Sequence, residues 1–217
     1  MKKLIIFDLD GTLIDTLEDL TDSVNHAISR FNFPIRSLND IRLAIGNGVS
    51  KLVARSIPNA ENNPLYTKCL KEFISYYKTH SQVKTKPYKG LIEPLKELKS
   101  LGYKLAVCTN KDDNIAKELI YMHFPGIFDF VQGEIAGISK KPNPEMINLI
   151  INHFNLENDE VIYIGDTEVD EETATNSLID YYLVTYGFRT KEELNKKCPN
   201  AKTIDKIDQI KTLHNSN

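Results

Sequence analysis

Asp8 and Asp10, in the run Phe7-Asp8-Leu9-Asp10-Gly11-Thr12, are the first residues whose types and spacing could do chemistry. The apolar stretch Leu4–Phe7 before them is predicted to be a buried strand that ends at Asp8. A carboxylate buried there costs several kcal/mol unless it is paired or metal-bound. Side chains two residues apart on an extended chain point the same way. Asp8 and Asp10 are therefore expected to share one small volume with a cation between them. Gly11 lets the backbone turn sharply, and Thr12 adds a hydroxyl and an N–H where the chain leaves the sheet. Taken alone, Asp-x-Asp-Gly also reads as a plain acidic turn after a strand.

Three further groups decide between these readings. Thr109, with Asn110 beside it, closes the apolar run 105–108. Gly165-Asp166-Thr167-Glu168-Val169-Asp170 closes the run 161–164 and supplies two more carboxylates, Asp166 and Asp170. Lys140-Lys141-Pro142-Asn143-Pro144 lies between them. Carboxylates gathered in this way need a hard cation, and magnesium takes oxygen ligands and tolerates bound phosphate. A hydroxyl and a lysine aimed at the same place stabilise phosphoryl oxygens as charge shifts. One carboxylate can then attack phosphorus and form an aspartyl-phosphate. A second can give a proton to the leaving oxygen and later take one from water. The chemistry these residue types suit is phosphoryl transfer.

The elements that must bring the groups together follow from periodicity. Residues 16–79 read as helices without a strand. Leu17, Leu20, Val24, Ala27, Ile28 and Phe31 keep a helical period after Asp15-Thr16, and Ser37 with Asp40 resembles a capping box. Val49, Leu52, Val53 and Ile57 make another stripe after Gly46-Asn47-Gly48, and Asn63-Pro64 is predicted to open a helix to about residue 79. After the turn Pro87-Tyr88-Lys89-Gly90 the pattern changes. Helices are predicted at 91–101, 115–121, 144–154 and 171–177, and strands at 105–108, 128–131, 161–164 and 181–184. A helix at 191–197 and a weak one at the end follow. Such alternation predicts an α/β fold: a Rossmann-like parallel sheet with helices on both faces and the ligand at the carboxyl ends of its strands. The expected division is a catalytic core of residues 1–14 and 84–217 and an all-helical cap of residues 15–83. The cap is inserted after the first strand, and its closure about two linkers would exclude bulk water.

Composition narrows the function classes. At 217 residues, 41% hydrophobic and 26% charged, the chain is long enough for a real core and is not expected to be disordered. A net charge of −3 argues against a nucleic-acid partner. No run approaches membrane-spanning length, and Asp8 cuts short the apolar start that could mimic a signal peptide. The three scattered cysteines, Cys69, Cys108 and Cys198, fit a reducing compartment and no disulfide frame, so a cytoplasmic location is expected; a monomer or homodimer is expected.

Phe7-Asp8-Leu9-Asp10-Gly11-Thr12, Thr109-Asn110, Lys141-Pro142 and Gly165-Asp166-x-x-x-Asp170 resemble, in order, the four motifs of the haloacid dehalogenase superfamily. The resemblance spans essentially the whole chain. It implies Asp8 as nucleophile and Asp10 as general acid/base, whose backbone carbonyl also touches the metal. It implies Thr109 as the phosphate-binding hydroxyl and Lys141 as the lysine holding nucleophile and phosphoryl group. Asp166 and Asp170 become the metal carboxylates, with magnesium as cofactor, and the helical block becomes the family's cap. Ile45-Gly46-Asn47-Gly48-Val49, Thr109-Asn110-Lys111 and Tyr186-Gly187 most resemble phosphoglycolate-phosphatase-like members. Thr12, Asn110, Gly46 and Gly48 are accordingly expected to meet a small phosphorylated substrate, with 2-phosphoglycolate the first candidate. Gly46-x-Gly48 also reads as a tight helix–helix turn.

Alternatives remain within the superfamily, namely a nucleotidase, an inorganic pyrophosphatase or another sugar-phosphate phosphatase. A receiver-type phosphoacceptor uses similar residues but needs neither the acid/base Asp10 nor an insertion. Cys108 reads as a core residue rather than a nucleophile. The five histidines form no ligand spacing, Lys51 reads as a solvated lysine, and Arg55 one turn on could join it at a substrate carboxylate. Arg189 could equally be structural. Glu171 and Glu172 read as dipole complementation in a first helical turn.

Overall fold

The computed structural model describes residues 1–210. Strand β1, Leu4–Phe7, is buried throughout. The chain turns through residues 9–13 into the short β2, Ile14–Asp15. Four helices follow: α1 Leu17–Ser29, α2 Leu38–Ala44, α3 Val49–Ser56 and α4 Tyr66–His80. Strand β3, Lys86–Pro87, pairs with β2 in a two-stranded sheet. Then come α5 Ile92–Ser100, β4 Lys104–Asp112, α6 Asp113–His123, β5 Phe130–Glu134 and α7 Glu145–Phe154. Strand β6 Val161–Gly165, α8 Glu168–Asn176, β7 Asp180–Val184, α9 Lys191–Lys197 and β8 Thr203–Ile204 complete the order.

The chain divides into two compact units, Met1–Ile14 with Pro87–Asn217, and Asp15–Lys86. The first is built on a parallel sheet of order β5-β4-β1-β6-β7-β8. Its strands run outward from β1 to β5, then return to the other side of β1 and run outward again. This is the doubly wound arrangement, in which the reversal opens a crevice at the carboxyl ends of the central strands. Phe7 is level with Val107 of β4 and with Ile164 of β6, so Asp8, Thr109 and Asp166 come at that edge.

Alternation along β1 sorts the two cores. Ile5 and Phe7 pack with Leu95 and Leu98 of α5 and with Leu119 and Ile120 of α6. Leu4 and Ile6 pack with Met146, Ile147, Ile150 and Ile151 of α7 and with Ala174 of α8. Each such fully buried Leu, Ile or Phe stabilises the fold by about 1.5–3 kcal/mol relative to exposure.

The helical unit has its own interior. Leu20, Val24, Ala27 and Ile28 of α1, Leu52 and Val53 of α3, and Phe73 and Tyr77 of α4 are buried, and α1 packs along α4. The Ser37 hydroxyl accepts the Asp40 N–H at 3.1 Å and Asp40 accepts the Ser37 N–H at 2.9 Å, which completes the predicted capping box. Asp19 is almost fully buried and accepts the N–H groups of Lys84 and Thr85, tying α1 to the end of the unit.

The structure departs from the periodicity in several places: β5 spans Phe130–Glu134 where 128–131 is predicted, and α8 begins at Glu168 where 171 is predicted. Strand β4 continues to Asp112 through a register shift after Cys108, where an end at 108 is predicted. Helix α4 begins at Tyr66, because Asn63 accepts the N–H groups of Leu65 and Tyr66 and makes a turn before the helix. The two-residue β8 lies too close to polar neighbours to carry an apolar signal. The weak helix predicted at the end falls on residues 211–217, outside the described residues. Among the described residues no helix is long and apolar enough to cross a membrane.

Candidate active site

Asp8 stands one residue past β1, its N–H donating to the Ile164 carbonyl of β6 at 2.8 Å. Burial pushes its carboxyl up to about 7 against the pull of Lys141, with Asp170 and Asp10 adding to the rise. Lys141 lies 2.9 Å from Asp8 Oδ1 and 2.8 Å from Asp170 Oδ1, with its side chain only 2% exposed. Burial works against that ammonium, but Asp170 and Asp8 outweigh it and raise its pKa. Lys141 Nζ also donates to the Tyr163 hydroxyl at 2.8 Å, and that hydroxyl is 3.0 Å from Asp170 Oδ1.

Asp170 is heavily used. Its Oδ1 meets Lys141 and Tyr163, and its Oδ2 accepts from the N–H groups of Asp166 and Thr167 and from the Thr167 hydroxyl. These donors, Lys141 foremost, hold its pKa below the usual value although burial opposes them. A carboxylate offers about four lone-pair sites. Direct ligation of a metal by Asp170 would therefore compete with donors already in place.

Asp166 keeps more capacity. Its Oδ1 accepts the Thr12 hydroxyl at 3.3 Å and its Oδ2 the Phe188 N–H at 2.7 Å. Burial, then Asp170 and Asp8, raise its pKa well above the usual carboxylate range. A Cβ at Gly11, where φ is +87°, would strike the Asp166 carboxylate. One at Gly187 would strike Asp166 and the Gly11 carbonyl. Two glycines thus let two loops close on one carboxylate.

Asp10 differs from expectation. Extended alternation ends at Phe7, since the N–H groups of Thr12, Leu13 and Ile14 all turn back to the Leu9 carbonyl. Asp10 is not among the three carboxylates that come within 4.8 Å of one another, and its two oxygens meet Lys111 Nζ at 2.9 and 3.1 Å. Lys111 lies two residues past Thr109 in the shifted part of β4, and its N–H donates to the Thr109 hydroxyl at 3.2 Å. Thr109 is buried. Asn110 between them bonds the Lys141 peptide at both ends, Nδ2 to the carbonyl at 2.9 Å and Oδ1 from the N–H at 2.8 Å.

Two expected substrate contacts thus have other work. Asn110 holds the Lys141 backbone, and Thr12 is fully buried with its hydroxyl on Asp166. Gly46 and Gly48 belong to the helical unit, at φ +132° and +81° on either side of Asn47, where they serve the turn into α3. Lys51 pairs with Glu61 at 2.6 Å, and Arg55 bonds Asn47 and the Ala44 carbonyl. Cys108 is buried, which pushes its thiol up to about 12 and leaves it inert. Arg189 is buried against Glu168 at 2.9 Å. Sequence reasoning gave no role to Lys111 or Tyr163. Thr109-Asn110-Lys111 carried a signal for the first, and nothing marked Tyr163 within an apolar strand.

Asp8, Asp166 and Asp170 place oxygens within 4.8 Å of one another. The donors are all hard oxygens, and the charges of Asp170 and Asp8, though both pair with Lys141, still raise the pKa of Asp166. Both features fit a divalent cation of the magnesium type.

A family model described as haloacid dehalogenase-like hydrolase matches residues 5–184. The phosphoglycolate phosphatase of Nitrosococcus oceani is 30% identical over 97% of this chain and 96% of its own length. That of Rhodobacter capsulatus is 33% identical over 87% of each. A crystal structure from Lactobacillus delbrueckii subsp. bulgaricus superposes with a TM-score of 0.91 at 34% identity, covering 98% of both chains. A predicted phosphoglycolate phosphatase from Haemophilus somnus superposes at 0.88 and 27% identity, again over 98% of both.

Proposed function

The chain belongs to the haloacid dehalogenase-like hydrolase family, and from that premise we propose that it is a magnesium-dependent phosphomonoesterase working through an aspartyl-phosphate, with 2-phosphoglycolate its first candidate substrate. The observation that carries this reading is the buried Asp8–Lys141–Asp170 chain beside Asp166 at the carboxyl edge of β1 and β6. The names of the relatives support the substrate.

In this mechanism Asp8 attacks phosphorus in line. Lys141 holds Oδ1, so Oδ2 is the oxygen that forms the new bond. Asp10 protonates the leaving alcohol, then takes a proton from the water that hydrolyses the aspartyl-phosphate. Lys141 and Thr109 steady the phosphoryl oxygens as charge moves onto them. Asp8 and Asp166, with the Asp10 carbonyl, would hold the cation, which when bound draws charge from the phosphoryl group. The helical unit is assigned the role of cap.

Initial rates with magnesium on phosphoglycolate, pyrophosphate, nucleoside monophosphates, hexose phosphates and p-nitrophenyl phosphate test the reading. Phosphoglycolate should lead. Asp8→Asn should lose turnover by at least about a thousandfold while its melting temperature holds. An active Asp8→Asn protein would sink the mechanism.

A further inference from the structure

We infer that Tyr163 is a positioning residue that stands in for a phosphoryl oxygen: its hydroxyl takes the third N–H of the Lys141 ammonium until substrate binds, then yields that N–H to the phosphoryl group. The inference rests on the phosphatase reading above and adds to it the residue that keeps Lys141 in place between turnovers.

A lysine ammonium has three N–H donors. Among the described residues Lys141 Nζ meets three acceptors, Asp8 Oδ1 at 2.9 Å, Asp170 Oδ1 at 2.8 Å and the Tyr163 hydroxyl at 2.8 Å. All three donors are therefore engaged, and a phosphoryl oxygen that bonds Lys141 must displace one of these partners. Two of them are buried carboxylates, and parting either from its cation carries a heavy penalty. Asp170 is also pinned from its far side, where Oδ2 accepts the N–H groups of Asp166 and Thr167 and the Thr167 hydroxyl. Asp8, the proposed nucleophile, needs Oδ1 held while Oδ2 attacks. The Tyr163 hydroxyl is the neutral partner, and a hydrogen bond to a neutral acceptor is the weaker kind. It has places for its own proton, Asp170 Oδ1 at 3.0 Å and the Cys108 carbonyl at 3.3 Å. It therefore loses only one accepted bond when Lys141 turns away. Fully buried in β6, the ring holds the hydroxyl ready to take Lys141 back when phosphate leaves.

The test is Tyr163→Phe, which removes the hydroxyl and keeps the ring. Inhibition by inorganic phosphate is measured with magnesium, on whichever ester of the panel above turns over fastest. Without the stand-in, the third N–H belongs to the phosphoryl site from the start. The Ki of phosphate should fall by roughly fivefold, because binding no longer breaks a bond to a neutral partner. KM for the ester should fall with it, with no gain in kcat. A hydroxyl that served only to hold the fold would leave Lys141 looser on removal and raise both constants. An unchanged or raised Ki in a variant of wild-type melting temperature therefore overturns the inference. Phosphate should also raise the melting temperature of Tyr163→Phe more than that of wild type, and an equal or smaller rise overturns it likewise. If the variant does not fold, a crystal structure of wild type with orthovanadate decides. There Lys141 Nζ should stand beyond about 3.5 Å from the Tyr163 hydroxyl and stay bonded to Asp8 and Asp170. A Tyr163 contact retained beside bound vanadate, or a carboxylate released in its stead, overturns the inference but leaves a phosphatase. A wild type inactive on every ester overturns both.

Discussion

Lys141 is the residue on which the buried carboxylates depend. It stands between Asp8 and Asp170, and its removal leaves both charges without their cation. Lys141→Met should therefore destabilise the protein by about 3–5 kcal/mol, read as a fall in melting temperature, and should abolish turnover. A variant of wild-type stability would contradict the pairing. Asp8 and Asp166 were legible because they stand at the ends of apolar runs and Lys141 because it precedes a proline, whereas Asp170 is flanked by Val169 and Glu171 and was legible only through the pattern Gly165-Asp166-x-x-x-Asp170. The partner of Asp10 was not. Its direction depends on where β1 stops, and the turn back to the Leu9 carbonyl is a matter of backbone bonding that residue type does not announce. Tyr163 was hidden for the opposite reason. It looks like one more apolar strand residue until Lys141, far off in sequence, is placed against its hydroxyl.

Among the elements, the segment after β7 has a duty out of proportion to its length. Tyr186 donates to the Thr12 carbonyl, Phe188 N–H holds Asp166, and Arg189 is buried against Glu168. Gly187 makes this possible by letting its backbone lie against Gly11 and Asp166. Gly187→Ala should push the segment away, weaken magnesium binding and lower kcat together, a result measurable by titration calorimetry and initial rates. Unchanged affinity would mean that Asp166 keeps its place without the Phe188 N–H. The capping box of α2 was readable because it is local, its two residues lying three apart in sequence. The shifted end of β4 was not, since a register shift is defined by the neighbouring strand β5.

At the scale of the molecule, strand–helix alternation made the class of fold legible, but not the order of strands. That order brings residues 8 and 166 side by side, and with them a surplus of buried negative charge. The electrostatic consequence has a definite sign. Burial raises the Asp8 carboxyl from 3.8 to about 7, so the metal-free folded protein holds a proton that the unfolded chain has released. Its stability should fall as pH climbs from about 4 to about 7. Magnesium would bind the ionised form, so its affinity should weaken as pH drops below 7. The rise in melting temperature on adding magnesium should be larger at pH 8 than at pH 6, and equal rises would contradict the assignment.

Strand β1 is made before either of its flanking partners, β4 and β6. A chain emerging from the ribosome can give β1 one neighbour once residue 112 is out, but the second only after residue 165. Over that interval an apolar strand edge stays open to other chains. Stalled or truncated products ending before β6 should therefore be sticky, protease-sensitive and wholly inactive, since Asp8 then has no Asp166 beside it. The catalytic cluster is complete only after β6 has joined β1 and the segment after β7 has closed on Asp166.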